Sequence, residues 1–111
     1  MKIYIAGKYS DKTKWKKEKN VKTAYRAGAK ILLKGHWPFI PHHTHWFDYF
    51  VRDYLGLHFT KELYYKWDNQ FLADCDGFVK ISESPGANAE EELAKKLGLT
   101  IFNSVEDIPK V

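Results

Sequence analysis

A three-layer α/β sandwich around a four- to five-stranded, mostly parallel sheet is the fold this sequence predicts. Three observations point to it. Lys2–Ala6 (KIYIA) is a short buried strand by its β-branched and aromatic content, and it is followed by a long stretch of helical period and then a second strand. Strand, helix and strand within about 40 residues make a βαβ unit, whose two strands lie parallel. A second strand–helix–strand alternation closes the chain, from Phe78 to Phe102.

The elements follow in order. Gly7 ends the first strand, and Gly7-Lys8-Tyr9-Ser10 forms a loop ahead of a helix from Lys14 or Trp15 to Leu33. Its inward stripe is Val21, Ala24, Ala27 or Gly28, Ile31 and Leu32; its lysines face water, and Gly35 stops it. His36–Ile40 is the second strand, closed by Pro41. Residues 42–59 carry no clear period: His42, His43 and His45 crowd beside Trp46, Phe47, Tyr49, Phe50, Tyr54 and Phe59. Thr60 caps a helix from Lys61 to about Ala73, with Leu63, Trp67, Phe71 and Leu72 on or near its inward side. Phe78–Ile81 is the third strand, and a Ser/Pro/Gly loop leads to the next helix, which Gly98 ends. Leu99–Phe102 is the fourth strand, and Ser104–Pro109 a short terminal turn.

Composition narrows the classes of function. At 111 residues the chain is one domain, and no apolar run approaches bilayer-spanning length, so neither a membrane span nor a membrane partner is expected. Met1 leads directly into a strand, without signal-peptide character, and a cytoplasmic protein is expected. The single Cys75 excludes an intramolecular disulfide and a multi-cysteine zinc site; its place between helix and strand suits a buried thiol. Adjacent histidines cannot both ligate from one helical face, and His42, His43 and His45 lack ligand spacing, so no metal and no cofactor is expected. The net charge of +4 is concentrated in the first third, from Lys8 to Lys34, opposed there only by Asp11 and Glu18. That field attracts anions, but with no nucleic-acid reader motif in the chain a phosphorylated metabolite fits better than nucleic acid.

In the small doubly wound, flavodoxin/Rossmann-like order, strand one lies beside strand three, and ligands bind outside the strand ends where the chain reverses. The loops delivered there are Gly7–Ser10 and Ser82–Gly86, each preceding a helix whose positive end and free N–H groups suit an anion. The oddity of the last helix is Glu90, which shares a face with Leu93, Ala94 and Leu97 at i+3, i+4 and i+7, while Glu91, Glu92, Lys95 and Lys96 take the solvated side. Asp68 borders an apolar stripe in the same way, beside Phe71 and Leu72. A carboxylate near a helix start gains about 0.3–1 kcal/mol from the dipole, which is reason enough for a structural role; chemistry in a pocket is the alternative.

Three patterns together carry a family resemblance: Tyr4-Ile5-Ala6-Gly7 at the start, the spacing of Asp68 from Asp76, and Ser84-Pro85-Gly86-Ala87-Asn88-Ala89-Glu90 followed by Ala94. The chain resembles the nucleoside 2-deoxyribosyltransferase superfamily, including its nucleoside 5′-monophosphate N-glycosidase branch. The resemblance implies cleavage or transfer at the N-glycosidic bond of a nucleoside or its 5′-monophosphate. Glu90 would be the nucleophile and Asp68 the acid, with Tyr4 or Tyr9 orienting Glu90 or touching the sugar. Gly7, Lys8, Tyr9, Ser10, Ser84, Gly86 and Asn88 would bind substrate, and Asp76 would brace the turn into strand three. It further implies a homodimer; in the transferase branch a carboxy-terminal residue enters the neighbouring site, and Asn103 and Ser104 are the nearest candidates here. The other reading of these loops is a nucleotide-binding module that senses its ligand without turnover.

Overall fold

The computed structural model describes all residues, Met1–Val111. Four parallel strands, β1 (Lys2–Ala6), β2 (Trp37–Phe39), β3 (Gly77–Lys80) and β4 (Thr100–Phe102), form one sheet in the order β2-β1-β3-β4. The helices are α1 (Lys14–Leu33), α2 (Thr44–Leu55), α3 (Lys61–Leu72) and α4 (Pro85–Lys96), with short 3-10 turns at Pro41–His43 and Val105–Asp107. Pro38 sits in β2, an edge strand, where its missing N–H leaves no central ladder bond unmade.

Side-chain alternation along β1 divides the core. Ile3 and Ile5 face α1, packing with Ala24, Ala27, Ile31, Val79, Val105 and Ile108. Tyr4 and Ala6 face the opposite layer, with Phe78, Leu72 of α3, and Ala87 and Ala94 of α4. Asp76 ties the start of β3 to β1 through its carboxylate on the Lys2 N–H (2.9 Å) and its own N–H on the Lys2 carbonyl (2.8 Å). Its inferred role in bracing the turn has this geometry behind it.

Several inward assignments need correction. Leu32 is 53% exposed and Leu97 46%, so the buried stripes end at Ile31 in α1 and at Ala94 in α4. In α3 only Leu72 and Asp68 are buried; Leu63, Trp67 and Phe71 are exposed, because the inward face is the one carrying Asp68 and Leu72, four residues apart, and Trp67 and Phe71 each lie one step round the helix from it. Phe71 instead stacks on Phe39 at 4.8 Å between ring centroids. Cys75 is half-buried at the rim of the Tyr4 cluster instead of fully enclosed. Residues 44–55, which carry no clear period, are the helix α2, ended by Gly56 at φ +65°.

Candidate active site

The strand order brings the ends of β1 and β3 side by side, and the loops that leave them form one rim of a cavity of about 340 Å³. The loops are tied together, since the Lys8 N–H donates to Ser82 Oγ at 2.8 Å. Gly7 is required by this approach: a Cβ there would lie 2.7 Å from Ile81 Cγ1 and 3.1 Å from Ser82 Oγ. Asn20 of α1 holds the same loop through a 3.0 Å bond from its amide to the Tyr9 carbonyl.

Glu90 and Asp68 both line this cavity, although they stand on different helices. Glu90 occupies the buried stripe of α4 between Ala87 and Ala94, at i+3 and i−4, so its carboxylate is turned toward the sheet. There the Tyr4 hydroxyl donates to Glu90 Oε2. Asp68 is only 7% exposed, and its Oδ1 has no hydrogen-bond partner. Loss of hydration pushes Glu90 up to about 7, against the opposing pull of the Tyr4 hydroxyl. Loss of hydration, reinforced by the nearby Glu90 charge, raises Asp68 to about 7 as well. Burial and these same two carboxylates push the Tyr4 phenol far upward, so Tyr4 remains a donor at any working pH. Near neutrality the pair can hold one proton and one negative charge.

The other walls come from α1, α2 and α3. Lys17 lines the cavity and enters no ion pair, and Lys61 likewise has no carboxylate partner, its ammonium lying 5.6 Å from the Tyr65 ring centroid. Lys8 also lines it and pairs with Asp11 at 3.3 Å. Tyr65 reaches over Gly86, where a Cβ would meet its hydroxyl at 2.8 Å. His42, 4% exposed, presents a ring with neither nitrogen hydrogen-bonded. Burial lowers its basicity, partly offset by the facing Gly7 and Lys8 backbone.

A family model described as a domain of unknown function, DUF4406, matches residues 1–103. The chain belongs to the DUF4406 family. No curated protein matches it.

In this DUF4406 chain most of the sequence-derived site residues converge. Gly7, Lys8, Tyr9, Ser10, Ser84, Gly86, Asp68 and Glu90 line one cavity, and Tyr4 supports Glu90 from beneath. Three assignments change. Asn88 is exposed and accepts from Lys80 Nζ at 2.9 Å, outside the cavity, because one step along α4 from the Ala87 position turns a side chain outward. Ser84 Oγ caps α4 by accepting from the Ala87 N–H at 3.0 Å, so its acceptor capacity is partly used. The cap of α1, Thr13, and its first three residues do not line the cavity, which α1 reaches only through the side chain of Lys17 at the end of its first turn, so Lys8 and Lys17 side chains replace the expected backbone N–H groups.

The three histidines diverge. His42 lines the cavity, His43 pairs with the Tyr25 hydroxyl at 2.9 Å, and His45 is buried with its Nδ1 2.7 Å from the Tyr9 hydroxyl. Asn103 and Ser104 line a separate depression beside Arg26 and Lys30. Sequence reasoning missed Lys17, His42, Asp48, Arg52, Lys61, Tyr64 and Tyr65 as lining residues. The i,i+4 spacing of Asp48 and Arg52 was a usable sign that the segment is helical.

Proposed function

We propose that this chain cleaves or transfers the N-glycosidic bond of a nucleoside or nucleoside 5′-monophosphate. The observation that carries the reading is the pair Asp68 and Glu90, two carboxyls raised to about 7 in one cavity, with a tyrosine hydroxyl on one and none of the pair's charge neutralised by lysine or arginine. Such a pair supplies the two groups that glycosyl chemistry asks for, an acid and a carboxylate. Cleavage builds positive charge at the anomeric carbon. Ionised Glu90 answers it, forming a bond to that carbon as the bond to the base breaks, and Tyr4 steadies the carboxylate. Protonated Asp68 gives its proton to the departing nitrogen. Water, or a second base, then displaces Glu90 and returns the proton to Asp68. Unpaired Lys17, with Lys8 and the Ser10 hydroxyl on the loop rim, suits a 5′-phosphate.

The motif resemblance supports the same reading from a separate direction, since its nucleophile, acid and tyrosine positions are Glu90, Asp68 and Tyr4. In line with it we read the chain as a homodimer, for which exposed Phe50, Tyr54 and Leu55 of α2 and Trp67 and Phe71 of α3 provide apolar surface. Light scattering of the purified chain tests the dimer. For the activity, the purified chain is incubated with ribo- and deoxyribonucleosides and their 5′-monophosphates, and released base is measured by chromatography. Base release lost in Glu90→Ala is expected; no release or exchange from any of them refutes the reading.

A sensing module without turnover is the second reading, favoured by the same unpaired cations. It predicts a thermal shift with nucleotides, no base release, and full effect in cells from Glu90→Gln.

A further inference from the structure

Asp48 and Arg52 are charged residues of the cavity wall that the proposed reaction leaves without a task. They stand one turn apart on α2, paired at 3.0 Å between Arg52 Nε and Asp48 Oδ2. The other Asp48 oxygen accepts from the Tyr64 hydroxyl of α3 at 2.7 Å. The pair is therefore fixed from two helices, and its two charges cancel. Aromatic rings border it: Tyr64, Phe59 and Tyr9 all line the same cavity. Tyr9 is itself held, with its hydroxyl 2.7 Å from His45 Nδ1.

This wall differs in kind from the one carrying Lys17. An unpaired ammonium attracts a phosphate, whereas a neutralised acid–base pair has little net field and offers acceptor and donor side by side. With Nε committed to Asp48, the guanidinium keeps its terminal N–H groups for a ligand, and each Asp48 oxygen keeps a further lone pair. Flat rings flanking a donor–acceptor edge fit a neutral heteroaromatic base better than an anion.

We propose that Asp48 and Arg52 set base specificity, reading the edge of the base remote from the sugar, with Arg52 donating to a ring or carbonyl acceptor and Asp48 accepting from a ring or exocyclic N–H. Tyr64 is a positioning residue that holds Asp48 in register. The inference rests on the glycosidic reading for its ligand class, but it concerns recognition and is measured without turnover.

The test is calorimetric binding of the four deoxynucleoside 5′-monophosphates, and of the four deoxynucleosides, to the chain carrying Glu90→Gln, alone and combined with Asp48→Asn, Arg52→Met or Tyr64→Phe. The expected result is that the ratio of Kd values between best and worst base shrinks at least tenfold with Asp48→Asn and with Arg52→Met, and several-fold with Tyr64→Phe, which keeps the ring. The ratio between nucleotide and nucleoside for a given base stays as it was. Because ratios are compared within one variant, general loosening of α2 cancels. Equal weakening for all four bases, or a collapse of the nucleotide-to-nucleoside ratio instead, overturns the proposal, the latter by making Arg52 a phosphate contact. Absence of binding by every nucleotide overturns it too. Base-selective binding with no base release by the unsubstituted chain refutes the glycosidic reading and leaves this one standing; base release with unaltered selectivity in the variants does the reverse.

Discussion

Replacing Asp68 with asparagine should change how stability responds to pH, whatever the chain's activity. In the unfolded chain this carboxyl titrates near 3.8, while in the folded chain burial and the Glu90 charge lift it to about 7. Between those values the folded state holds a proton that the unfolded state has lost, so stability falls as pH rises. The stabilising contribution is complete below about pH 4 and gone once pH passes about 7, at about 1.36 kcal/mol per unit between them. From pH 5 to pH 8 the Asp68 share of the fall is about 2–3 kcal/mol. Asparagine occupies nearly the same volume and has no charge to desolvate, so the variant lacks that share. Urea denaturation of the natural chain and of Asp68→Asn at pH 5, 6, 7 and 8 measures the difference directly. The expected result is a variant that gains about 2–3 kcal/mol relative to the natural chain between pH 5 and pH 8. Parallel stability curves for the two proteins would refute the burial argument and, with it, the claim that Asp68 is a poised acid.

Other outcomes follow from the same geometry. Base release should be bell-shaped in pH with its maximum near 7, because Glu90 must be ionised and Asp68 protonated and both lie at about 7; a flat profile from pH 5 to 9 would contradict this. Tyr4→Phe removes the hydroxyl that holds Glu90 down, so Glu90 titrates higher, the acid limb of that bell moves to higher pH, and kcat drops by about tenfold or more. Lys17→Ala should narrow the preference for nucleotide over nucleoside by about tenfold and flatten its dependence on salt, read from kcat/KM at several ionic strengths. Gly7→Ala should cost about 1–3 kcal/mol of stability, seen as a lower Tm, because the new methyl group collides with Ile81 in a tied loop.

How far the fold was legible depended on period and punctuation. The strand–helix alternation, the cap at Thr60 and the stops at Gly35 and Gly98 sit where local chemistry puts them, with Gly35 at φ +90° and Gly98 at φ +78°. The site was legible in part. Glu90 stood out because a carboxylate interrupted an apolar stripe, and Asp68 for the same reason. Lys17 looked like any other lysine of a solvated helix. Asp48 and Arg52 lay in an aromatic-rich segment whose period was masked by outward-facing Phe50 and Tyr54.

By itself the sequence determined the four strands and the helices α1, α3 and α4, though not α2, and it determined that Gly7 ends a strand and that two acids border apolar faces; these depend on neighbours a few positions away. Only the tertiary structure decided that the two acids share a cavity, that Tyr4 and not Ile3 or Ile5 reaches Glu90, and that Asn88 turns away from the site. The reason is physical: strand order and sheet pleat place groups 86 positions apart within hydrogen-bond reach, as for Tyr4 and Glu90, and no local period records which strand will lie beside which.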